Sequence, residues 1–112
     1  MNLTEYQKQA AKTAVFPKEG YVEYLGLCYA TDGLVGEAGE IKNKTKKLLR
    51  GDRKLDESAR QDLIDELGDV LWYCAAVAGE LGVSLEEVGE RNLAKLADRA
   101  QRGVIKGSGD KR

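Results

Sequence analysis

Apolar and polar positions follow a helical period along most of the chain, and strand-like alternation is scarce, so four helices are predicted. The first runs from about Thr4 to Val15, with Thr4 as N-cap, and is broken by "FPKEGY" and its lone proline, Pro17. The second starts at Tyr21 or Val22 and reaches Leu49, with a bend expected at Gly33 or Gly36 and a stop at "RGDRK". The third starts near Asp56 or Ser58 and ends at "GELGV". The fourth opens at Ser84, where Glu87 three residues on completes a capping box, and ends near Arg102 or Gly103. The pattern predicts an all-α fold, a helical bundle of about four helices completed by oligomerisation. Residues 1–103 make up its domain, and 104–112 a Gly-rich charged tail expected to be mobile.

The third helix changes character along its length. At 100° per residue, Asp62, Asp65, Glu66 and Asp69 share one face, while Leu63, Ile64, Leu67, Val70, Leu71 and Cys74 take the other. Tyr73 and Val77 continue the acidic stripe and Trp72 fills the remaining side. From Val70 to Ala78 the helix is therefore apolar nearly all round and is expected to be buried on every side. A plain solvated face would explain the acids alone. Their continuation into a buried stretch brings like charges close to a medium of lowered dielectric, which calls for a cation among them. The second helix supplies a matching pair in "LVGEAGEIKNK": Glu37 and Glu40 stand at i and i+3, the spacing that Glu66 and Asp69 repeat. Across an antiparallel hairpin the two pairs could face each other. Oxygen donors without imidazole or thiolate suit Mg2+, with Mn2+ as a possible substitute. The small residues Gly36, Ala38, Gly39 and Gly68 are expected to let the two helices approach closely and to leave room for substrate. Four helices from 112 residues are too few to cover the third one, so a dimer at least is expected.

Composition narrows the classes. A charged fraction of 33% with net charge −1 argues against a general binder of nucleic-acid polymers. No apolar run has the length of a membrane span, and "MNLTEYQKQAAK" lacks the apolar centre of a signal peptide, so a cytoplasmic protein is expected. Cys28 and Cys74 are expected as reduced, buried thiols, without the CxxC spacing of a zinc site. The chain has no histidine, which removes Ser-His and Cys-His machinery and leaves carboxylates for acid-base or metal chemistry.

"GEAGE" followed by "DELGDVLWY" resembles the MazG-like, all-α nucleoside triphosphate pyrophosphohydrolases, whose motif reads EExxE, a spacer, then ExxD. The resemblance implies that Glu37, Glu40, Glu66 and Asp69 are both metal ligands and catalytic groups, holding magnesium against a nucleoside triphosphate. It implies hydrolysis at the α-phosphorus to a nucleoside monophosphate and pyrophosphate, with Glu37 or Glu40 accepting the proton of the attacking water. Gly36 stands where the motif has its first glutamate, as in members similar to the dCTP pyrophosphatases, which leaves the general base open. Tyr73 would contact sugar or base, although core packing explains it as readily. Asn92, Lys95 and Arg99 recur at helical spacing and would contact the nucleotide; the bland alternative is a solvated face with cations at a helix C-terminus. Lys44, one turn beyond Glu40, could touch phosphate. A homodimer or homotetramer and a house-cleaning role in the nucleotide pool are the family's implication. The alternatives are a narrower dCTP or dUTP diphosphatase and a non-enzymatic helical interaction module.

Overall fold

The computed structural model describes residues 1–18, 20 and 23–112. Its elements are α1 (Leu3–Ala11), α2 (Leu25–Leu49), α3 (Glu57–Glu80) and α4 (Leu85–Gln101), with no strand among the described residues. The chain is all-α, as its periodicity predicts. The expected starts of the second helix at Tyr21 or Val22 lie outside the described residues, and α2 begins at Leu25.

Local chemistry explains most of the boundaries. Asp56 caps α3 by accepting from the Ala59 N–H, and Ser84 caps α4 by accepting from the Glu87 N–H. Gly82 and Gly51 adopt the left-handed conformation just beyond α3 and α2, turning the chain sharply at both ends. Two expectations for α1 fail. Its cap is Asn2, whose side chain accepts from the Glu5 N–H, while the Thr4 hydroxyl donates to Glu86 of α4 at 3.0 Å. Its end is Ala11 rather than Val15. Beyond it, Lys12, Thr13 and Ala14 make i→i−3 bonds, and Thr13 Oγ1 accepts from the Trp72 indole at 2.9 Å.

Helices α2 and α3 form the main hairpin, α1 packs on α3 and α4, and among the described helices α4 touches only α1 and α3. Arg53, in the connection between α2 and α3, ties the hairpin by donating to Asp62 Oδ2 at 2.8 Å, and it holds the Asp62 carboxyl below the ordinary aspartate range. Ala75, Ala78 and Leu85 form a small buried core, with Tyr6, Ala10, Leu71, Cys74 and Val83 packed against it. The α2–α3 approach does not use the expected small residues. An added Cβ at Gly36, Gly39 or Gly68 would meet no atom within 4 Å, whereas one at Gly33 would overlap the Tyr73 ring and one at Gly26 would lie 2.8 Å from Glu80 Oε1. Between Val70 and Ala78 only Ala75 and Ala78 are buried; the other side chains are half-buried. Cys74 is half-buried and Cys28 exposed, so the expected burial of both thiols does not hold within one chain. Among the described residues no helix is long and apolar enough to cross a membrane.

Candidate metal centre

The hairpin brings Glu37 of α2 together with Glu66 and Asp69 of α3. Each offers a carboxylate oxygen, and these oxygens lie within 4.8 Å of one another. The i, i+3 spacing on α3 sets Glu66 and Asp69 on one side of the helix, and the antiparallel packing of α2 brings Glu37 opposite them. Partial desolvation, then repulsion from Asp69 and Glu66, a hydrogen bond with Glu66 and repulsion from Glu40 raise the Glu37 carboxyl above the ordinary glutamate range. Such mutual crowding is what a divalent cation relieves, and an all-oxygen donor set is the one hard cations prefer. Glu40, the fourth predicted ligand, is exposed one turn along α2 and lies outside this group.

Two of the expected substrate contacts adjoin the centre. Lys44 Nζ lies 3.7 Å from Glu66 Oε1. Tyr73 is half-buried between Gly33 and Trp72, the two rings meeting edge to face at 5.0 Å. Burial foremost, then Tyr29, Glu37 and Asp69, push its phenol above the usual tyrosine value, and Tyr73 follows Asp69 by one turn of α3. Phe16 stacks on Tyr29 at 5.0 Å and meets Trp72 edge-on at 6.2 Å, giving the aromatic cluster a third and fourth member that the helical pattern did not single out.

The remaining three expected contacts lie apart from the carboxylates, because α4 does not pack on α2. Asn92 and Lys95 line a cavity of about 660 Å3 together with Arg91 and Asp110. Arg99 is buried, only 5% exposed. Residues 104–112, expected as a mobile tail, fold back against α4. Lys95 Nζ lies 2.7 Å from Asp110 Oδ1, and Arg99 donates to the carbonyl and the carboxylate of Asp110. Hydrogen bonds from Lys95 and Arg99 lower the Asp110 carboxyl below the ordinary aspartate range. The segment is further closed by Arg112, which donates to the Val104, Ile105 and Gly109 carbonyls, and by Arg102, which donates to the Arg112 carbonyl.

Residues 29–104 match the MazG nucleotide pyrophosphohydrolase domain family. The chain is 52% identical to the Gene 37 protein of Mycobacterium phage L5 over 114 aligned positions, spanning the whole of both chains. It is 34% identical over 90 residues to the uncharacterized protein YvdC of Bacillus subtilis (strain 168), covering 75% of this chain and 84% of that one. No solved structure matches it significantly.

Proposed function

The chain belongs to the MazG nucleotide pyrophosphohydrolase family, and from that premise we propose that it hydrolyses nucleoside triphosphates at the α-phosphorus in a magnesium-dependent reaction. The observation that carries the reading is the convergence of Glu37, Glu66 and Asp69 within 4.8 Å across the hairpin. These three hold the ion, for which manganese can substitute. When bound, it offsets the negative charge of the triphosphate and assists departure of pyrophosphate. Glu40, outside the ligand group, takes the proton of the attacking water; the water oxygen bonds to the α-phosphorus as the bond to the bridging oxygen breaks. Lys44 turns from Glu66 to a phosphate oxygen, and Tyr73 meets the sugar or base; the support for Lys44 is its 3.7 Å approach to Glu66 Oε1.

The working assembly is a homodimer or a homotetramer, in which α4 of one copy brings Asn92, Lys95 and Arg99 to the carboxylates of another. The support is that a single chain keeps α4 away from α2. The free thiols fit a reducing cytoplasm, where the enzyme would clear surplus or damaged deoxynucleotides. Glu66→Gln and Asp69→Asn are each expected to keep the helical circular-dichroism signal and lose magnesium-dependent pyrophosphate release. Full activity in both variants would overturn the site, and release rates across ordinary and damaged nucleotides would define base selectivity.

A further inference from the structure

The strongest feature outside the carboxylate centre is the way residues 104–112 lie on α4. Arg99 is a buried cation, and its anionic partner comes from a side chain that faces water: the Asp110 side chain is 77% exposed against 6% for Arg99. The same carboxylate takes Lys95. A pair built this way is asymmetric. Asp110 can return to solvent at little cost, whereas Arg99 left alone would be an uncompensated buried charge. The pair therefore persists until another anion replaces Asp110.

We propose that the 104–112 segment is an internal anionic latch: Asp110 occupies Lys95 and Arg99 until the phosphates of an incoming nucleotide displace it. The inference rests on the reading of Lys95 and Arg99 as nucleotide contacts and adds a regulator to that site. Three features suit it. Asp110 lines the same cavity as Asn92 and Lys95, so a ligand there competes with the latch for Lys95. Arg112 binds three carbonyls of its own segment, which lets the loop move as a preformed unit. Gly107 and Gly109 on the approach to Asp110 have φ of 143° and 85°, conformations that glycine enters and leaves freely. A phosphate chain carries more charge and more acceptor oxygens than one carboxylate, so it outcompetes Asp110 for an arginine and a lysine.

The test titrates the full-length protein with inorganic triphosphate and magnesium by calorimetry, in the wild type, Asp110→Asn and Lys95→Ala, and follows hydrogen exchange of residues 104–112. Triphosphate is expected to speed exchange across the segment in the wild type. Asp110→Asn keeps the main-chain carbonyl that accepts from Arg99 and is expected to bind triphosphate roughly fivefold tighter, the scale of the more exposed Lys95–Asp110 pair, and Lys95→Ala to bind it more weakly. Unchanged affinity in Asp110→Asn, or a segment that stays protected at saturating triphosphate, overturns the latch while weaker binding by Lys95→Ala preserves the cation site. Unchanged binding by Lys95→Ala removes the cation site and the latch together.

Discussion

Gly33 is the residue on which the hairpin closes. Its missing Cβ makes the space that the Tyr73 ring occupies, and Tyr73 stands one turn beyond Asp69 on α3. In an exposed helix interior, glycine to alanine stabilises by roughly 0.5–1 kcal/mol. At Gly33 that gain is opposed by overpacking against a ring that has no flexible end to yield, which costs about 1–3 kcal/mol. Gly33→Ala is therefore expected to lower the thermal midpoint and to weaken magnesium binding as α2 shifts. Gly36→Ala adds a Cβ into open space and is expected to raise the midpoint of the isolated chain by the propensity gain alone. Thermal melts of the two variants check both signs; equal shifts would mean that the Gly33 contact carries no energy. The glycines expected to let the helices approach are not the ones that do, and Gly33 stands out in the sequence only as a bend. Spacing relative to the acids picked out Gly36, Gly39 and Gly68, but which glycine a tyrosine needs depends on how two helices cross, and this is set by tertiary packing.

At the scale of elements, the legible features are those encoded locally. Asp56 and Ser84 satisfy amides three residues away, so the starts of α3 and α4 can be read from a few letters. The i, i+3 carboxylates of α3 are legible for the same reason, and the hairpin then needs only a short connection to bring Glu37 across. The start of α1 is not legible, because Thr4, a good cap by type, spends its hydroxyl on Glu86, 82 residues away. Nor is the docking of α4. Gln7 of α1 donates to the Val83 carbonyl at 3.0 Å and accepts from the Leu85 N–H at 2.9 Å, taking up one of the free amides at the α4 N-terminus beside the buried Leu85 side chain. No pattern along the chain points to a glutamine in that role. Gln7→Ala leaves both groups without their partner and is expected to cost about 1–3 kcal/mol. Faster hydrogen exchange should appear at Leu85 and in the first turn of α4, with the α2–α3 hairpin unchanged. A loss spread evenly over all four helices would show that Gln7 does not act through α4.

For the whole molecule the decisive quantity is how much of the chain stays uncovered. A compact domain of this length has a radius of gyration near ~13 Å, and this chain has 17.0 Å. Val35 of α2, Leu67 of α3 and Leu93 of α4 are 73%, 59% and 68% exposed, and the apolar middle of α3 is only half covered. Isolated exposed leucines are ordinary, but large apolar side chains exposed on three helices mark surfaces that bind something. The occupant we propose is a second copy, which would also bring α4 and its cations to the carboxylates that they stay apart from within one chain. Light scattering at micromolar concentration is expected to give twice the 12.3 kDa chain mass or a multiple of it, and the thermal midpoint is expected to rise with protein concentration, because association stabilises by mass action. Leu67→Glu changes a side chain that is 59% exposed in its own chain, so its direct cost to one copy is small; in the proposed assembly it would bury a carboxylate without a partner. The variant is expected to sediment as a lighter species and to lose pyrophosphate release in proportion, with activity partly recovered at high protein concentration. A wild type that is monomeric and fully active would mean that one chain completes the site by moving α4 onto α2, and the exposed apolar faces would then be sought by some other partner.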